Sequence, residues 1–169
     1  MTIESNFPTK PGYYSFGLSD SEVKFRPLWP VETAAIWLRT NTKGIEKRMQ
    51  DGRIAWAFDI SAGSRRVREI RLLAYSVLEC AGSQIESLMP TKNLPFQKVA
   101  DLILGNQRAT VRGIELQRIF LVSPRLIENL RKTNDVPAIG IPSTRYGINA
   151  SPQFARSAVI EFLKRRRIV

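Results

Sequence analysis

Two stretches of the chain carry side chains suited to reading the edges of bases. In "NTKGIEKRMQ", Thr42, Lys43, Glu46 and Lys47 fall on the side of a helical repeat away from Ile45. In "SPRLIENLRK", Pro124, Arg125, Glu128 and Asn129 fall away from Leu126, Ile127 and Leu130. Arginine offers two N–H groups to guanine O6 and N7, asparagine pairs with adenine, and glutamate accepts from cytosine N4. A third group, Arg65, Arg66 and Arg68, surrounds a glycine-containing turn. Alternating arginines on a hairpin can track phosphates or enter a minor groove. Thr144, Arg145 and Tyr146 form a similar, weaker set.

Catalytic chemistry finds less support. The 169 residues include no histidine and one cysteine, Cys80. Histidine-based acid–base catalysis, Cys/His zinc sites and an internal disulfide are therefore excluded. Asp51, Asp59 and Glu69 lie near one predicted hairpin and Asp101 on a separate helix, so no metal-binding carboxylate cluster is evident. The expectation is a protein that is not an enzyme, with no cofactor, no metal and no small-molecule ligand. Twenty-six Lys and Arg oppose 15 Asp and Glu, a net charge of +11. A field of that sign attracts polyanions, nucleic acid first among them. No apolar run approaches the roughly 20 residues of a membrane span, and the N-terminal residues lack a signal-peptide pattern. A cytoplasmic, nucleoid-associated location with no membrane partner is expected.

The elements that would position these residues occur twice. Ile45-Glu46 superimposes on Ile127-Glu128 at an offset of 82 residues. Asn41 then meets Ser123, Lys43 meets Arg125, Lys47 meets Asn129, and Ile54-Ala55-Trp56 meets Val136-Pro137-Ala138. Each copy predicts a short helix (30–38 and 113–120), a three-residue turn, and a second helix (42–51 and 124–133). Asn41 or Ser123 is placed to cap the second helix through its side-chain oxygen. Two strands follow, 53–60 with 65–70 and 138–142 with 146–149, then a closing helix at 71–79 or 152–166. Ser151-Pro152 reads as a cap and first turn for the last helix.

This order of helix, turn, capped helix, hairpin and closing helix resembles the winged helix-turn-helix of the MerR and phage excisionase (AlpA-like) superfamily. Val136-Pro137-Ala138 matches the family's Leu-Pro-Ala turn well, and Ile54-Ala55-Trp56 matches it loosely. The resemblance covers roughly residues 27–80 and 109–169. Arg39 and Leu121 stand where the family often has glycine in the turn. Arg48 and Arg131 stand where it usually has an apolar residue, so each must snorkel or find a partner. The resemblance implies an α+β, mainly helical fold of two tandem winged helix-turn-helix units. It also implies a DNA-binding regulator or architectural factor of a mobile element. Two units about one helical turn apart would read a bipartite site, with self-association on DNA as a further expectation.

Four segments are expected: an arm (1–26) with Tyr13, Tyr14 and Phe16 as anchors, a first unit (27–80), a linker with a short helix at 96–104 (81–108), and a second unit (109–169). Trp29, Trp37, Trp56 and Phe58 belong to the expected core. The basic run "KRRRIV" from Lys164 could complement the closing helix's C-terminal end, touch DNA, or do both. The same features also fit a protein-interaction adaptor with degenerate winged units, or a replication initiator or partition protein.

Overall fold

A computed structural model describes residues 26–63, 67–82, 89–106, 108–140 and 151–169. Among these, seven α-helices and two three-stranded antiparallel sheets form an α+β fold. The first half runs β1 (Leu28–Pro30), α1 (Val31–Trp37), α2 (Thr42–Gln50), β2 (Ala57–Asp59), β3 (Ile70–Leu73) and α3 (Ala74–Cys80). A 3₁₀ turn (Thr91–Asn93) and α4 (Phe96–Leu104) follow. The second half repeats the order with β4 (Thr110–Arg112), α5 (Gly113–Phe120), α6 (Pro124–Lys132), β5 (Ala138–Gly140), β6 (Gln153–Ala155) and α7 (Arg156–Arg165). The sheets have the same connectivity, β1-β3-β2 and β4-β6-β5.

The offset of 82 extends to backbone conformation. Arg39 (φ 49°) and Leu121 (φ 50°) both adopt the left-handed form between the paired helices. Gly52 (φ 69°) and Asn134 (φ 58°) do so beyond the second helix of each pair. A left-handed L-residue costs roughly 1–2 kcal/mol. That two non-glycine residues hold the same turn at equivalent positions shows that the surrounding packing dictates it. The register agrees as well, since Trp29 pairs with Leu72 and Val111 with Phe154.

Several boundaries differ from the sequence reading, for one shared reason. Residues 70–73 are the central strand of the first sheet, not the start of a closing helix, and residues 153–155 play that part in the second. β1 and β4, which sequence did not suggest, pair with these strands. Residues 53–56 are turn and coil, so the first strand of the hairpin begins only at Ala57. "IRLLAYSVL" has no regular polar alternation because both faces of β3 are covered, and a largely apolar run does not separate strand from helix. The expected strand at 146–149 lies outside the described residues, as do 64–66 of the first hairpin.

Ser151-Pro152 caps a different helix from the one expected. Ile114 N–H donates to Ser151 Oγ at 3.0 Å and Gly113 N–H to the Pro152 carbonyl at 2.7 Å, so the pair closes the start of α5. Helix α7 instead starts behind Ala155, without a side-chain cap. Gly113 is required there, since a Cβ would lie 2.9 Å from Ser151 Oγ and 3.1 Å from the Pro152 ring.

Strand alternation divides the core. Trp29, Ala57 and Leu72 face α1 and α2, packing on Ala34, Ala35, Ile45 and Met49. Leu28, Phe58 and Leu73 point to the opposite face and join Leu116, Phe120, Leu130, Phe154 and Phe162 of the second half. The first sheet is thus enclosed between its own helices and the second half. In the second sheet, the positions equivalent to Leu28 and Arg71 are Thr110 and Gln153, both exposed. Thr110 in place of apolar Leu28, and an exposed Gln153 in place of buried Arg71, leave that face of the second sheet uncovered among the described residues. Helix α4 adds Val99 and Ile103 to the shared core, and Asp101 binds Arg156 of α7 at 2.5 Å.

Candidate nucleic-acid interface

Helix α2 turns its two buried side chains, Ile45 and Met49, inward. Asn41 caps it as expected, accepting the Gly44 N–H at 2.8 Å. Thr42, Lys43, Glu46 and Lys47 are consequently exposed, and none belongs to an ion pair among the described residues. Arg48, expected to need a partner, donates to the Gly44 carbonyl at 3.3 Å.

Helix α6 buries Leu126, Ile127 and Leu130 and exposes Arg125. Its outward face is more committed than that of α2. Glu128 is held by Arg131 at 2.6 Å and Lys132 at 3.7 Å. The hydrogen bond from Arg131 keeps its carboxyl below the usual range, outweighing partial burial. Glu128 therefore reaches outward as a neutralised carboxylate. Ser123 precedes α6 but makes no side-chain cap, contrary to expectation. Pro124 at the first helical position has already removed one free N–H. Ser123 instead lines, with Asn129, Arg125, Glu69 and Arg71, an open cavity of about 280 Å³. The second helix face thus adjoins a carboxylate from the first half.

The arginines of the first hairpin are only partly placed. Arg68 is exposed, with Asp59 at 3.9 Å. Arg65 and Arg66, and the second set Thr144, Arg145 and Tyr146, lie outside the described residues. Each carboxylate weighed above for a metal site faces a cation: Asp51 on Arg53, Asp59 on Arg68, Glu69 on Arg71 and Asp101 on Arg156.

The segment after α7 departs most from its sequence reading. Residues 166–169 run along β2: Asp59 N–H donates to the Arg166 carbonyl at 2.9 Å and Ile168 N–H to the Ala57 carbonyl at 2.8 Å. Arg167 lies over Trp56, 3.8 Å from the ring centroid. Arg165 donates to the Asp135 carbonyl and Arg166 to the Asp135 carboxylate, both at 2.9 Å. Arg166, which also donates to the Gly63 carbonyl at 3.4 Å, and Arg167 therefore join the halves, while Arg165 ties the run to the second half's own Asp135.

Asp135 is the hub of that junction. It also accepts the Gly63 N–H at 2.6 Å and the Thr133 hydroxyl at 2.5 Å. Burial alone would raise its carboxyl, but the bonds from Thr133, Gly63 and Arg166 together hold it below the ordinary value. A depressed carboxyl stabilises the fold fully above its unfolded pKa, near 4, and the contribution fades as pH falls through the lower folded value. Acid titration of Asp135→Asn should therefore show a shallower loss of stability below about pH 4 than the parent. Parallel pH profiles would remove Asp135 from the junction's acid response.

A buried cation, Arg71, escaped the sequence reading. Arg71 donates through Nε to the Phe120 carbonyl at 2.6 Å and through Nη2 to the Leu121 carbonyl at 3.0 Å. It thereby satisfies the end of α5 and the left-handed turn from the other half. Its signal was a single charge inside an apolar strand, which must find acceptors when buried. Comparisons of the chain with protein-family models, curated proteins and solved structures find no match. Among the described residues, no helix is long and apolar enough to cross a membrane.

Proposed function

We propose that the chain binds double-stranded DNA through two winged helix-turn-helix units, as a regulator or architectural factor of a mobile element. The observation that carries this reading is the face of α2. Lys43 and Lys47 project outward, in no ion pair among the described residues, from a capped helix that follows a tight left-handed turn. In a helix-turn-helix that second helix enters the major groove. The repeat of the same turn and helix at α6, and the net charge of +11, support the same reading. The units divide the work unequally. Helix α2 is the principal reader, while α6, with Glu128 neutralised and Glu69 near Arg125, contributes through Arg125 and Asn129.

Mobility shifts on random duplexes at several salt concentrations test this. Affinity should fall linearly on a log–log plot, and Lys43→Ala with Lys47→Ala should flatten the slope by about 1.8, at about 0.9 per lost phosphate contact. An unchanged slope would take α2 off the DNA. No duplex binding at low salt, with tight binding of a protein partner, would favour the adaptor.

A further inference from the structure

We propose that a cleft between the two halves, bounded by the lead-in to β1, β4 and α5, is a binding site for a phosphate group. The cleft has a volume of about 440 Å³ and is lined by Arg26, Arg108 and Arg118, with Asn106 and Thr110. That volume lies within the usual range of ligand pockets, about 300–1,000 Å³.

Charge balance points to an anion. Among the described residues Glu115 is the only acidic side chain lining the cleft, and its oxygens are already occupied. It accepts from Arg108 Nη1 at 2.8 Å, from Arg112 Nη2 at 3.2 Å and from the Arg112 N–H at 2.8 Å. Arg118 is exposed and belongs to no ion pair among the described residues. The Nε of Arg26 is buried with no hydrogen-bond acceptor among the described residues. An unmet buried donor is costly, more so on a charged group, and its usual explanation is a missing water or ion. Arginine N–H groups match oxyanions with two parallel bonds each. A carboxylate offers only two oxygens to these donors, whereas a phosphate group offers three or more to guanidinium, amide and hydroxyl together.

The cleft has a fixed floor. Gly105 ends α4 in the left-handed conformation, φ 71°, and its carbonyl accepts from Arg156 Nε at 2.8 Å. Leu104 and Ile119 supply apolar walls that strengthen charge pairing by excluding water. Because Arg26 comes from the first half and the other groups from the second, a bound phosphate would tie the halves together.

The site does not depend on duplex binding, and one experiment separates the possible sources of phosphate. The full chain is titrated with inorganic phosphate while the arginine Nε–Hε signals are followed by NMR, and then separately with a short duplex. Phosphate should shift the Arg26 signal saturably. Arg118→Gln, at an exposed position, should leave the melting temperature unchanged and weaken phosphate binding by about tenfold, the loss of one charge-assisted contact. A duplex that shifts the same signals, in competition with phosphate, identifies the nucleic-acid backbone as the source. Phosphate acting where duplex does not identifies a free phosphate ester. Absence of a saturable Arg26 shift with both probes, or equal affinity in Arg118→Gln, overturns the site.

Discussion

Arg71→Met should lower unfolding stability by about 3 kcal/mol, because two buried carbonyls, of Phe120 and Leu121, lose their donors at roughly 1–3 kcal/mol each. Methionine keeps much of the side chain's volume, so cavity formation contributes little. The guanidinium is almost wholly enclosed, and burial pulls its pKa down while Glu69 and Glu32 oppose that shift. It stays charged, since arginine does not deprotonate in proteins. The α5–α6 turn gains from this arrangement. Leu121 in a left-handed conformation leaves carbonyls that α6 cannot reach, and Arg71 supplies the missing donors. Chemical denaturation with an unchanged m-value and a shifted midpoint would show the expected loss. A loss under about 1 kcal/mol would mean that water replaces the guanidinium at little cost.

Deleting residues 166–169 should have a comparable effect, about 2–4 kcal/mol, and a second consequence that the Arg71 variant lacks. The segment contributes backbone bonds to β2, the Arg166–Asp135 pair and the Arg167–Trp56 contact, offset by the entropy of ordering four residues. Its removal also bares the edge of β2, and an unpaired edge invites pairing with another chain. Denaturation midpoints and sedimentation at two concentrations should therefore both change. If the run served DNA alone, the deletion would flatten the salt dependence of duplex binding and leave stability as it was. Unchanged stability would remove the segment from the junction.

Both results would bear on how the two halves work together. A shared core around Phe58, Phe120 and Phe162 holds them in one relative orientation. Under the proposed function, the spacing between the two parts of a DNA site is then set by the protein's interior and not by a flexible tether.

The sequence by itself determined the local features. The 82-residue offset placed α2 and α6 within a residue of their observed ends, because apolar spacing, the Asn41 cap at α2 and Pro124 at the first position of α6 act within one or two turns of chain. Helix α4 at Phe96–Leu104 was legible for the same reason. The outward placement of Thr42, Lys43, Glu46, Lys47 and Arg125 followed from helical periodicity. Tertiary structure alone decided that β3 is a strand buried on both faces, since its apolar run carries no period until its neighbours are known. Only the fold decided the jobs of Ser151, Arg71, Asp135 and Arg166. Ser151 serves a helix 37 positions earlier in the chain, and Arg71 serves a turn 50 positions away. Hydrogen bonds across such separations leave no local pattern, because the partner's position depends on how two distant segments pack. The basic run at the end of the chain illustrates the limit: charge suggested a helix end, DNA or both, and packing set Arg166 on Asp135 and Gly63 and Arg167 on Trp56 at the junction.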